Sequence, residues 1–191
     1  MQAPQFDAAA LAWQSVRKDP QLPAALHFSP ELAWPDLFAN DLGMDLSNSF
    51  LIVASDTAPA ALDSTVLAWH YSADRRPEFC KETRFTLQGD TSIQVAYHPL
   101  GHAAVKPVGP LDYAPGTGST YVQGTCLSWR FVRTLEQDGW TVQQLSEMLA
   151  VYLGVLRDQL PNAGPSLGKL DVTTALPGHL FDAVPHNIVE T

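Results

Sequence analysis

The chain has 191 residues, of which 46% are hydrophobic and 16% charged, with a formal net charge of −9. That length and apolar content fit a single domain, 1–191, with a normal buried core, and exclude a disordered chain. The acidic balance and the scattered lysines and arginines exclude a general nucleic-acid binder, because neutralising phosphates needs clustered cations.

The charged fraction falls below the roughly 25% usual for soluble domains. Much of the surface is therefore neutral and polar, or a partner covers part of it. Cys80 and Cys126 form neither a zinc spacing nor a redox pair and read as small buried residues. The first residues lack the basic stretch and apolar run of a secretory signal. The longest apolar run, 148–156, is too short to span a bilayer. Together these set the expectation of a cytoplasmic protein with no membrane partner.

In chain order, residues 6–18 read as a short amphipathic helix, with Asp7 as cap and Arg17 and Lys18 at the negative end of its dipole. Ser29-Pro30-Glu31 opens a second helical start, and Pro35 interrupts it. Two short turns or a kinked helix reaching Gly43 should result. Four strands should follow, at 49–55, 65–71, 84–88 and 91–98. Gly89-Asp90 closes a tight hairpin in which Phe85, Leu87, Ile93, Val95 and Tyr97 face the core. Short connections favour an antiparallel meander. Residues 99–119, rich in proline and glycine, are either a functional loop or conceal an element.

From Tyr121 onward, alternation puts Leu127, Trp129 and Phe131 on one side, which reads as a long strand. Asp138-Gly139 turns the chain, and Thr141 with Gln144 forms a capping box. The helix 141–160 carries Val142, Leu145, Leu149, Tyr152, Leu153, Leu156 and Leu160 on one stripe. It should cover the Leu127/Trp129/Phe131 face, with Leu149 against Trp129. Met148, Val151 and Val155 widen its apolar surface and are the candidate partner-binding residues. Pro161 ends the helix. The rest, 161–191, is too apolar for a free linker and should dock as a C-terminal arm, with Leu170, Val172 and Thr174 as an edge strand.

Several patterns suggest chemistry and fail on context. Gly116-Thr117-Gly118-Ser119-Thr120 lacks the lysine and the helix of a phosphate loop. Ser166 and Lys169 have acyl-enzyme spacing but no helix to align them. Asp41, Asp45 and Asn48 lack the closing glutamate of a calcium loop. His98 and His102 could share a metal, yet Pro99 and Gly101 break the helix that would aim both rings one way. Neither a metal nor another cofactor is expected. Arg84, Gln94, His98, Ser128 and Arg130 all fall on the polar side of the inferred sheet, so Arg84, His98 and Arg130 are the candidate ligand-binding residues, suited to an anion.

The expected fold is α+β: an antiparallel sheet of about five strands, the helix 141–160 across one face, and short N-terminal helices. The expected function is non-catalytic binding of a small ligand or a protein. Two alternatives stay open: an enzyme with its site at the loop 98–119 using His98, His102 and Arg130, and a structural subunit of a homo-oligomer.

Overall fold

The computed structural model describes residues 4–16, 23–47, 54, 56, 63–101, 116–160 and 175–191. The protein is α+β, in two compact units. The first joins the segment up to Ala8 with Asp41–Gln123; the second joins Ala9–Asn40 with Gly124–Thr191.

The first unit is built on an antiparallel sheet of strands β1 (Val66–Ser72), β2 (Lys81–Gln88), β3 (Ser92–Pro99) and β4 (Gly118–Thr120), in that spatial order. Gly89 takes φ 62° in the β2–β3 connection, a conformation that glycine adopts without a Cβ clash. This turn sets Leu87 opposite Ile93 and Phe85 opposite Val95, which is the core-facing set that alternation implies. Ile93 and Val95 are buried. Phe6 packs against Phe85 at 5.3 Å and Tyr121 at 5.7 Å between ring centroids, so the chain's start covers this side of the sheet. Strand β4 is the element concealed in 99–119. It carries too few side chains to show a periodicity, and Gly118 is there because a Cβ would stand 2.3 Å from the Val95 carbonyl oxygen.

The second unit contains helix α1 (Ala8–Val16), which begins at the unit border, then a 3-10 turn (Pro30–Leu32) and helix α2 (Trp34–Ala39). Two short turns are present as expected, but they meet at Ala33, and Pro35 lies in the first turn of α2 and does not interrupt it. Strand β5 (Thr125–Cys126), helix α3 (Ser128–Leu135), helix α4 (Val142–Asp158) and strand β6 (Val189–Glu190) complete it. β5 and β6 pair as a separate two-stranded ladder.

The long strand expected from Tyr121 is a correction. Its second half is helix α3, and Leu127 is that helix's N-cap residue. The alternation misled because Trp129, Val132 and Arg133 also satisfy helical spacing. Burial decides between the two periods: Trp129 stacks on Trp13 with centroids 4.9 Å apart, and Val132 and Ala10 pack around that pair and Cys126. Leu127, Trp129 and Phe131 therefore form no sheet face for a helix to cover.

Helix α4 has the anticipated cap, with the Thr141 hydroxyl accepting from the Gln144 amide and the Gln144 side chain reaching back. It packs against α3, and Thr134 Oγ1 lies 3.6 Å from Met148 Sδ. Its rotation differs from the expectation. Met148 and Leu156 are buried, whereas Leu149, expected against Trp129, is 49% exposed. The apolar arc is wider than one neighbour can cover, and the side holding Met148 and Leu156, not the stripe through Leu149, is the buried one.

The described part of the C-terminal segment lies along this unit. Tyr152 donates its hydroxyl hydrogen to the Ala183 carbonyl, Leu180 is buried, and the Leu127 amide donates to the Ile188 carbonyl. Gly124 lets β6 come close, since a Cβ there would stand 2.2 Å from the Glu190 carbonyl oxygen. The expected helix end at Arg17 and Lys18, the strand at 49–55 apart from Ala54, Asn48, His102, the Ser166/Lys169 pair and the edge strand at 170–174 lie outside the described residues.

Candidate functional site

Among the described residues, the side of the four-stranded sheet opposite Ile93 and Val95 is open and holds the best-defined cluster of polar and aromatic side chains. Residues opposite one another in an antiparallel ladder project to the same side. One row across the sheet is thus Trp69, Arg84, Ala96 and Gly118. The next row is Tyr71, Glu82 and His98, and Gln94 with Thr120 lies on the far side of the first. Trp69 is 45% exposed and Tyr71 55%, both on strand β1. Large aromatic groups facing water at adjacent rows of one strand are a costly use of surface for a fold alone.

Glu82 ties the cluster together. Its Oε1 accepts from Arg84 Nη2 at 2.9 Å and its Oε2 accepts from the Tyr71 hydroxyl at 3.1 Å. The Glu82 side chain is only 15% exposed, so this pair is partly desolvated and worth more than an ordinary surface bridge. Arg84 Nε is shielded from water without a hydrogen-bond partner among the described residues. The hydrogen bond to Glu82, then burial and the Glu82 charge, push the Tyr71 phenol above its ordinary value of 10.0. The raised value keeps the hydroxyl a donor, and its stabilising contribution is present below the ordinary tyrosine range and lost as pH rises through the folded value. In an alkaline absorbance titration, the transition that Tyr71→Phe removes should come late, and Glu82→Gln should bring it back toward the ordinary value. A Tyr71 transition unmoved by Glu82→Gln would show that the carboxylate does not hold the phenol.

The candidate residues from the sequence separate. Arg84 and His98 do share this face, with Glu82 directly opposite His98. Arg130 sits on α3 in the other unit, where its Nε pairs with Glu190 Oε2 at 2.8 Å. Both guanidinium groups therefore already hold a carboxylate. Met148 is buried, Val155 half-buried and Val151 exposed, so these three do not form one open patch. The apolar side that α4 leaves open carries Val142, Leu149 and Leu153.

Trp69, Tyr71 and Glu82 escaped the sequence reading. The signal was present: alternation along β1 with the hairpin register places them beside Arg84 and His98. It needs the β1–β2 register, which shifts at a bulge between Val66 and Ala68.

A concavity of about 310 Å³ lies in the other unit between residues 26–31 and Glu136. Glu31 is buried and partnered, and Glu136 accepts from Ser29 Oγ, so neither carboxylate is presented free. Among the described residues no group of three or more histidine, cysteine, aspartate or glutamate side chains is placed to hold a metal ion. No described helix is long and apolar enough to cross a membrane. Comparison with protein-family models, with curated proteins and with solved structures finds no match.

Proposed function

We propose that this protein is a non-catalytic binding protein that takes a small ligand on the open face of its four-stranded sheet. The observation that carries the reading is the exposure of Trp69 and Tyr71 in adjacent rows beside the Glu82–Arg84 pair. Tryptophan and tyrosine combine a large apolar body with a polar tip, so they gain contact area from a ligand at little rotamer cost. Arg84 and His98 stay in the proposed binding set, and Arg130 leaves it because it belongs to the other unit. A cytoplasmic location is the reading that suits Cys80 and Cys126, which form no disulfide with each other.

Protein-observed NMR with a diverse library of small molecules tests the reading. Binding compounds should shift amides of β1, β2 and β3, and Trp69→Ala with Tyr71→Ala should abolish those shifts. A library whose hits perturb only other surfaces, or which has no hits at all, overturns it. A second reading, binding of a protein partner or a second copy, is favoured by the exposed Val142, Leu149 and Leu153 on α4. Light scattering on the same samples separates the two, because a dimer dispersed by Leu153→Glu would assign that helix rather than the sheet.

A further inference from the structure

We infer that the ligand of the sheet face is a neutral, hydroxylated ring compound, a saccharide. This deepens the proposed function and rests on it.

Electrostatics removes the charged classes first. The centre of the face holds one guanidinium and one carboxylate, Arg84 and Glu82, already paired at 2.9 Å. An anion at Arg84 would stand against the Glu82 carboxylate, on a protein of net charge −9. A cation would be drawn by that net charge but would arrive against Arg84. Breaking the pair for either leaves a partly desolvated charge without its partner. A neutral ligand leaves it intact.

The remaining polar capacity narrows the class further. Glu82 accepts only from Arg84 Nη2 and the Tyr71 hydroxyl, and Arg84 donates only to Glu82, among the described residues. A carboxylate and a guanidinium can each make several more bonds. A wholly apolar ligand would cover these groups and leave their spare capacity unmet, at a cost in free energy. What fits is a ligand with one apolar face and a rim of groups that both donate and accept. A pyranose ring has this form: its C–H face lies on an indole or phenol, and its hydroxyls bridge toward Glu82, Arg84, His98 and Gln94.

Shape agrees. Trp69 and Tyr71 stand two residues apart, about 7 Å at the rise of an extended strand. Along the Trp69 row the sheet falls away to Ala96 and Gly118, which have almost no side chain. With strands about 4.8 Å apart, the low part at Ala96 and Gly118 lies beyond Arg84, and the two aromatic groups stand along the β1 edge only. Gly118 cannot be enlarged without a clash with the Val95 carbonyl, so the floor is fixed by the ladder itself.

Isothermal calorimetry on the full chain tests the assignment with cellopentaose, xylopentaose, mannopentaose, laminaripentaose and chitopentaose. Further arms are pentagalacturonate, spermidine, an uncharged naphthyl alcohol and a proline-rich decapeptide. At least one neutral pentasaccharide should bind. Trp69→Ala should weaken it by about tenfold or more, Trp69→Tyr should retain part of the affinity, and Leu153→Ser should leave it unchanged. Raising salt should alter the affinity by less than about twofold, as expected without a net ligand charge. If no neutral sugar binds but another probe does so through Trp69, the saccharide assignment is wrong and the sheet-face reading survives. If a sugar binds equally to Trp69→Ala and Tyr71→Ala, or no probe depends on either, both fail. Circular dichroism of each variant guards against misfolding as the cause.

Discussion

Replacing Trp13 by alanine should destabilise the second unit by about 3–5 kcal/mol, the range for truncating a buried aromatic side chain. Trp13 is 1% exposed and lies on helix α1, and its ring meets Trp129 of α3 with centroids 4.9 Å apart and planes at 34°. Ala10, Cys126 and Val132 close around the two rings, so no neighbour can move in to fill the space. Urea denaturation followed by far-ultraviolet circular dichroism measures the loss. Replacing both tryptophans tests the contact itself: a double-mutant cycle should return a coupling of about 0.5–1.5 kcal/mol. A loss below about 1 kcal/mol for Trp13→Ala would mean that α1 does not seal this core.

In the first unit, Ile93→Ala should cost about 2–5 kcal/mol. Ile93 is 3% exposed, lies opposite Leu87, and its carbonyl accepts from the Tyr121 amide at 2.9 Å, continuing the ladder beyond β4. Trp69→Ala makes the informative contrast, because Trp69 points to the other side of the same sheet and is already half in water. It should cost far less than Ile93→Ala despite removing many more atoms. The comparison separates a side of the sheet that holds the fold from one that is free for other work. Equal losses in the two variants would show that the aromatic face is part of a core after all.

How much of this was legible depended on where one pattern dominated. The Gly89-Asp90 turn flanked by alternating apolar residues determines β2, β3 and their register with no help from the rest of the chain. Thr141 and Gln144 likewise define the start of α4 locally. Residues 127–135 carry two periods at once, and only the distant Trp13 selects the helical one. Strand β4 carries almost no side-chain information, because close approach of the Val95 carbonyl demands glycine. The candidate site was half visible for a related reason. Arg84 and His98 lie within one hairpin, so local spacing groups them. Trp69 and Tyr71 join them only through the β1 register, and Arg130 was grouped with them only because its helix resembled a strand.

The interleaving of the two units has a consequence for how the chain matures during synthesis. Gln14 reaches Cys126 across 112 residues, and the Asp7 amide reaches the Tyr121 hydroxyl across 114. Neither core can close when its first piece leaves the ribosome. At about 5–20 residues per second, the side of α1 that carries Trp13 waits on the order of ten seconds for Trp129. Through that interval an apolar helix and a nascent sheet hairpin are in solution together without their partners. That apolar surface stays in water until residue 129 is made, and a slow codon stretch before it would lengthen the exposure.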